Sequence, residues 1–305
     1  MKDQHTLYRK IVYLVNPISG TGGKVSLRET IARETQNKGI AFEILDTSIS
    51  GNYKFLIQKI RTEKITDVVI CGGDGSINAV ASALIGVAVN IGIVPMGSGN
   101  GLAYTAKIPK NSKQALEIIF RGKSSFIDGF FINDQFSCML CGIGFDARVA
   151  HDFAKEKKRG LKTYMKVTAM NFVSAKPYAF EVQAGDRSII TEAFFISIAN
   201  SNQFGNNFTI APQASLNDGL LDIVIVKKMN KLLFPLSVLS QIRGINARQD
   251  FIDSPGKKNI LYFQTRSLSI INHNNAPLHI DGDPKNTASR FEIKLLPHAI
   301  RLLQP

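Results

Sequence analysis

Three glycine-rich segments, each preceded by a short apolar run, constrain this chain more than any other feature. IVYLV (residues 11–15) leads into Asn16-Pro17-Ile18-Ser19-Gly20-Thr21-Gly22-Gly23. DVVIC (67–71) leads into Gly72-Gly73-Asp74-Gly75-Ser76. NIGIV (90–94) leads into Pro95-Met96-Gly97-Ser98-Gly99-Asn100-Gly101. None of these runs alternates apolar with polar residues, as expected of strands buried on both faces. A further strand is expected at AFEILDT (41–47). Helical patterns intervene at 24–38, 52–63 and 76–86, and another covers about 111–121. Repeated strand–helix units imply a parallel sheet with helices on both faces. All three glycine-rich loops then leave the carboxyl edge of that sheet, where open α/β folds bind ligands.

The second loop carries the strongest local chemistry. Glycines let a backbone approach phosphate oxygens closely, and the N–H groups of a helix start attract anions. Asp74 is able to bind Mg²⁺ directly or through water. Taken alone, the motif is equally a tight turn with an Asp N-cap. Three such loops on one sheet edge favour a nucleotide site over coincident turns. None has the G-x-x-x-x-G-K-[ST] pattern of a P-loop. None is a G-x-G-x-x-G in Rossmann context, which disfavours hydride transfer.

After Phe126 the pattern changes. FIDGFFI and QFSCML flank Asn133-Asp134, a hairpin signal. One long helix is expected over about 145–175, containing KEKKRGLK. Mostly strands follow: YAFEVQA, IITEAFFISIAN, LLDIVIVKK, NILYFQT, LSIIN, PLHID and RFEIKLL, interrupted by a helical insert at 230–242. This half reads as an antiparallel β-rich domain. The expected division is an α/β domain over residues 1–127 and a β-rich domain over 128–293.

Charge narrows the partners without choosing one. The chain has 37 Lys and Arg against 24 Asp and Glu, a net charge of +13. Such an excess favours nucleotide phosphates, an anionic membrane or nucleic acid, but no RNA- or DNA-binding signature accompanies it. Three cysteines, Cys71, Cys138 and Cys141, are too few for a disulfide framework and suggest a reducing compartment. The lone C-x-x-C lies in a strand-like run and reads as core. The N-terminus reads as the lead-in to a strand, not as a signal peptide. No run of about 18 apolar residues exists, so no membrane-spanning helix is expected. The five histidines show no triad or metal spacing. The basic run at 155–162 reads either as a solvated helix face or as a contact for anionic head groups, where each basic residue contributes about 1 kcal/mol.

The segments NPISGTGG, GGDGSIN, PMGSGNGLA, GIGFDA (142–147), IAPQASLNDGLLDI (210–223) and IDGD (280–283), in this order, resemble the diacylglycerol kinase catalytic domain family. That family includes bacterial lipid kinases and is similar to sphingosine and ceramide kinases. The resemblance covers nearly the whole chain. It implies an N-terminal α/β nucleotide-binding domain with a parallel sheet, joined to a C-terminal antiparallel β-sandwich that carries the lipid site. The last strands, about 294–305, return to the first domain.

For individual residues, the resemblance implies that Asn16 and Thr47 position the nucleotide. Gly72, Gly73, Asp74, Gly75, Ser76 and Asn78 cradle its phosphates. Gly97, Ser98 and Asn100 complete the pocket. Ser76 stands where many members have Thr. Ala79 follows Asn78 where many have Glu, and Gly101 follows Asn100 where many bacterial members have Asp. The general base is expected at Asp283, where the family usually carries Glu, with Asp281 as the fallback. Ser215, Asp218 and Leu220 match a structural metal loop, and Asp128 is a candidate for the catalytic metal network. The implied reaction is ATP- and Mg²⁺-dependent phosphorylation of diacylglycerol or a related lipid. The expected setting is a cytoplasmic protein, peripheral at the membrane, in transient contact with its anionic surface. A homodimer is allowed and no nucleic acid is involved. The alternatives are an NAD kinase-like enzyme and a catalytically weakened nucleotide- or lipid-binding protein.

Overall fold

The apolar runs become strands in the computed structural model, which describes residues 8–17, 24–48, 51–158, 160–203, 209–249, 251 and 258–305. The first elements alternate: β1 (Lys10–Val15), α1 (Lys24–Asn37), β2 (Ala41–Asp46), α2 (Lys54–Glu63), β3 (Asp67–Gly72), α3 (Asp74–Ala83) and β4 (Asn90–Pro95). Next come α4 (Gly101–Thr105), α5 (Ser112–Arg121), β5 (Ser124–Ile132), β6 (Gln135–Ser137), β7 (Leu140–Gly144), α6 (Phe145–Lys155) and α7 (Leu161–Val173). The rest is β8 (Tyr178–Ala184), β9 (Arg187–Ala199), β10 (Leu221–Lys227), α8 (Phe234–Ile242), β11 (Ile260–Thr265), β12 (Ser267–Asn272), β13 (Leu278–Ile280), β14 (Asp283–Lys285) and β15 (Arg290–Leu303). Two compact units divide the chain. One comprises Met1–Gly97, Ala106–Phe126 and Ile300–Pro305; the other comprises Ser98–Thr105 and Ile127–Ala299.

The first unit is built on a parallel sheet in the order β2-β1-β3-β4, and Arg301 and Leu302 of β15 pair parallel with Asn90 and Ile91 of β4. β3 is buried at every residue and β1 at all but its first, which is why neither shows alternation in the sequence. Helix α5 is delimited by its own end residues. The Asn111 side chain accepts hydrogen bonds from the Lys113 and Gln114 amides at 3.1 and 3.2 Å, and Gly122 closes the helix at φ 67°.

The second unit is an antiparallel β-sandwich with helices against one side. Hairpins join β5 to β6, with Ile132 opposite Gln135, and β8 to β9, with Ala184 opposite Arg187. β10 shows how the layers share one strand. Leu221, Ile223 and Ile225 enter a core with Phe130, Phe180 and Phe291, while Val224 and Val226 enter a second core with Phe145, Val167 and Phe234 from the helices. Both faces are covered, so this strand too reads as an unbroken apolar run.

Two expected elements are interrupted. The single helix over 145–175 is two, α6 and α7. Glu156 turns to an extended conformation (φ −71°, ψ 133°), and Gly160, at φ 123°, stands before α7. Helical periodicity on both sides concealed a break made by backbone torsions at these two residues. QFSCML is likewise two strands, separated at Cys138 and Met139. Among the described residues, no helix is long and apolar enough to cross a membrane.

Buried Asp128 has a structural task. Its Oδ1 accepts from the His298 amide at 2.8 Å and its Oδ2 from the Gly219 amide at 2.9 Å. Its own amide donates to the Leu216 carbonyl, and the Asn200 side chain donates to its carbonyl at 2.9 Å. The carboxylate ties β5 to His298 of β15 and to the loop at Gly219. Asp128→Ala strands two amide donors and is expected to lower the unfolding free energy by about 2–4 kcal/mol. Urea denaturation measures this; a loss below about 1 kcal/mol would mean that water replaces both bonds.

Candidate active site

The strand order reverses between β1 and β3, because β2 lies on one side of β1 and the later strands lie on the other. Ligands in open α/β folds bind at such a switch point, outside the carboxyl ends of the strands. Three strand ends are level there: Val15 is opposite Cys71, and Cys71 is opposite Val94. Beyond them, the Asn16 amide donates to the Cys71 carbonyl at 3.0 Å and the Met96 amide to the Gly72 carbonyl at 2.9 Å. The second and third glycine-rich loops then converge closely. A Cβ on Gly73 would lie 3.0 Å from the Gly97 Cα, so position 73 does not readily accommodate a side chain.

Gly73, in extended backbone, is the N-cap of α3, and Asp74 falls in its first turn. The cap expected at Asp74 is thus one residue earlier. The carboxylate sits where the positive end of the helix favours negative charge. Asn16 Nδ2 donates to Ser76 Oγ at 2.8 Å and ties the end of β1 to α3. Beside this bond is a pocket of about 250 Å³ lined by residues including Asn16, Thr47, Tyr53, Gly75, Ser76 and Ala79. Asn78 lies on α3 outside that lining. Residues 18–23 of the first loop lie outside the described residues.

Tyr53 had no signal in the sequence. It is nearly fully buried at the start of α2, and its hydroxyl is hydrogen-bonded to the Thr47 side chain and the Ser48 backbone. Burial pushes its phenol above the ordinary value, with those hydrogen bonds pulling the other way. Ser98 and Asn100 group with the second unit; Ser98 is exposed, while Asn100 is buried at φ 55° just before α4. The structure therefore gathers Asn16, Thr47, Gly75 and Ser76 at one pocket, with Gly72, Gly73, Asp74 and Gly97 at the adjoining loop ends.

In the second unit, Asp281 and Gly282 form a two-residue hairpin between β13 and β14, both with positive φ (52° and 83°), and Ile280 pairs with Asp283. The two acids of the D-G-D motif have different surroundings. Asp281 Oδ1 accepts from Ser137 Oγ at 2.7 Å and from the Leu140 amide at 3.1 Å, and its amide donates to the Leu140 carbonyl at 2.9 Å. Asp283 is exposed.

Behind this hairpin is a pairing that the sequence reading missed. His279 Nε2 is 3.5 Å from Asp146 Oδ2, and both side chains are nearly fully buried. The Gly282 amide donates to His279 Nδ1 at 3.2 Å, which leaves Nε2 as the nitrogen bearing hydrogen toward Asp146. Asp146 Oδ1 accepts from the Ala147 amide at 2.8 Å. The partners lie 133 positions apart in the numbering, so no local spacing announces them. Gly142 makes room for them: a Cβ there would lie 1.9 Å from Asp146 Oδ2 and 2.5 Å from His279 Nε2.

The loop matching a metal site is exposed at Asp218. Its Oδ1 accepts from the Leu220 amide at 3.1 Å and its Oδ2 from Gln264 Nε2 at 3.3 Å, while Ser215 Oγ donates to Asn217 Oδ1 at 3.2 Å. Among the described residues, no group of three or more His, Cys, Asp or Glu is placed to hold a metal ion. All three cysteines are buried and free. Burial pushes the Cys71 thiol up to about 12 and also raises Cys141. This is the chemistry of core residues rather than ligands.

Residues 10–131 match the diacylglycerol kinase catalytic domain, and residues 140–304 match the YegS C-terminal NAD kinase beta sandwich-like domain. Two curated relatives, described as probable YegS-like lipid kinases from Yersinia pestis (strain Pestoides F) and Yersinia pseudotuberculosis serotype O:1b, are each 26% identical over 291 residues, covering 93% of this chain and 93% of theirs. The crystal structure of a diacylglycerol kinase from Bacillus anthracis superimposes with a TM-score of 0.73 at 18% identity, over 98% of both chains. That likeness speaks for the fold.

The clearance at Gly142 is directly testable. Gly142→Ala forces the Asp146–His279 pair apart and is expected to cost about 1–3 kcal/mol, the range for overpacking. Thermal denaturation reads the change. An unshifted melting temperature would show that the backbone yields without cost.

Proposed function

We propose, since this chain belongs to the diacylglycerol kinase family and carries the YegS-type C-terminal sandwich of lipid kinases, that it transfers the γ-phosphate of ATP to a hydroxyl of diacylglycerol or a related lipid. The observation that carries the reading is the levelled set of strand ends at the switch point, with two loops in near backbone contact and a pocket beside them that includes Asn16, Thr47 and Ser76. Phosphoryl transfer depends on positioning and charge stabilisation more than on covalent chemistry. Gly72 to Ser76 offer backbone to the phosphates, and the start of α3 offers its partial positive charge. Asn16, Thr47 and Ser76 provide amide and hydroxyl groups for the rest of the nucleotide. Gly97, Ser98, Asn100 and, one turn into α3, Asn78 complete the set in this reading.

The acceptor hydroxyl needs a base, and Asp283 is the residue we assign to it. Support comes from the division of labour within the hairpin: Asp281 Oδ1 is engaged by Ser137 and Leu140, while Asp283 is exposed on β14. The carboxylate takes the hydroxyl proton as oxygen attacks phosphorus. Mg²⁺ fits this chain as an ion held by one carboxylate with carbonyl oxygens and water: Asp74 beside the phosphates, and Asp218 with the Ser215 and Leu220 carbonyls at the structural loop. When bound, it supplies positive charge to phosphate oxygens.

Purified protein with labelled ATP and a panel of diacylglycerol, monoacylglycerol, sphingoid bases, polyprenols and NAD tests the reading. Label appearing in NAD alone would overturn it. Within that assay, Asp283→Asn is expected to reduce turnover by about 10²-fold or more with ATP affinity little changed, the scale of a lost general base. Asp281→Asn is expected to reduce stability instead, because it disturbs the Ser137 and Leu140 bonds. Full activity in Asp283→Asn would relocate the base.

Asp218→Ala is expected to lower the melting temperature in Mg²⁺ and to remove the Mg²⁺-dependent part of stability, while the order of preferred lipids stays the same. Equal melting curves for both proteins, with and without the ion, would reduce this loop to a turn.

A further inference from the structure

The helices on the second unit invert the usual polarity of a surface. The outward stripe of α7 is Lys162, Met165, Lys166, Ala169, Met170 and Val173, at helical spacing. Around α8 the outward positions include Leu232, Leu233, Leu236 and Leu239. The seven large apolar side chains among these are all at least 40% exposed, and Leu232 reaches 82%. A surface helix in water normally hides its apolar stripe and presents charge. Here Val167, Phe172, Phe234 and Val238 already supply an inner apolar face, so both helices are apolar inside and apolar outside.

The two helices are joined through their inner faces and at their ends. The Phe172 and Phe234 rings are 5.0 Å apart, and Lys231 Nζ donates to the Val173 carbonyl at 2.8 Å, which joins the end of α7 to the start of α8. Charge within the two chain segments that carry the patch has one sign. Residues 157–180 contain six Lys or Arg and no acid, and residues 227–249 contain five and no acid. Lys228 is neutralised by Glu192 at 2.7 Å, and Arg248 is engaged near Asp222. Lys162 and Lys166 stand within the apolar stripe itself.

We infer that this α7–α8 face is a docking surface for an anionic lipid bilayer, with its leucines, methionines and valine entering the interface and its lysines meeting head groups. Apolar insertion combined with attraction to anionic lipid is the pattern of interfacial helices. A second copy of the chain would bring the same positive charge against itself, whereas an anionic bilayer brings the opposite charge. The inference rests on the lipid-kinase reading only for the presence of a bilayer near the substrate.

The test is sedimentation of the full chain with phosphatidylcholine vesicles and with mixed phosphatidylcholine–phosphatidylglycerol vesicles, at low and high salt and without nucleotide. Binding is expected to the mixed vesicles and to weaken with salt. Lys162→Glu with Lys166→Glu is expected to reduce partitioning by at least about tenfold, since each basic residue contributes roughly fivefold at an anionic surface. Leu232→Ser with Leu236→Ser is expected to reduce it at both salt concentrations, while phosphorylation of detergent-dispersed lipid stays at the wild-type rate. Equal binding by wild type and both variants overturns the assignment. So does a concentration-dependent dimer that the leucine substitutions abolish in a chain that ignores vesicles; that result assigns the face to a second copy. Vesicle binding sensitive to both variants in a chain that phosphorylates no lipid would sink the kinase reading and leave the docking surface standing.

Discussion

Strand β3 is hydrogen-bonded in parallel on both sides and has no exposed residue, and this double pairing governs what the first unit does. A slip of one residue against β1 or β4 would exchange the side chains that its two packed faces receive. Register is therefore fixed by packing, and with it the height at which three loops leave the sheet. That height places Gly73 against Gly97 and brings Asn16 within 2.8 Å of Ser76. Core packing thereby sets the alignment of the loop ends.

In the second unit, acids that look alike in sequence are sorted by burial. Asp128 and Asp281 turn inward and accept backbone amides, so their charge is used to hold loops together. Asp222 is fully buried with Tyr262 at 2.6 Å, Gln264 at 2.9 Å and Arg248 at 3.6 Å. Burial raises its carboxyl above the usual range, and those three partners oppose the shift. Asp218 and Asp283 are exposed. An exposed carboxylate keeps its access to solvent and to ligands. The same sorting separates the histidines, since His279 is enclosed with Asp146 behind the hairpin that presents Asp283.

In the proposed reading, the glycine loops contribute backbone, which costs no side-chain ordering, and a hairpin of two positive-φ residues presents one acid outward and one inward. In the same reading, the α7–α8 face has the composition for contact with the phase that holds an apolar substrate.

The sequence by itself determined the class of fold. Short apolar runs at 11–15, 67–71 and 90–94, none of them alternating, read as strands covered on both faces, and β1, β3 and β4 stand there. The hairpin at Asn133 was equally legible, because turn residues act locally. Tertiary structure decided the rest, because it depends on distance along the chain. That the first two loops flank the switch point follows from strand order. That Asp128 is a fastener follows from amides 91 and 170 positions away. The break between α6 and α7 rests on backbone torsions at Glu156 and Gly160 that periodicity does not encode, and Tyr53 and the Asp146–His279 pair emerge only when separate elements pack. Residue type and spacing report what a segment is able to become; burial, register and partner decide which of its groups are left to do chemistry.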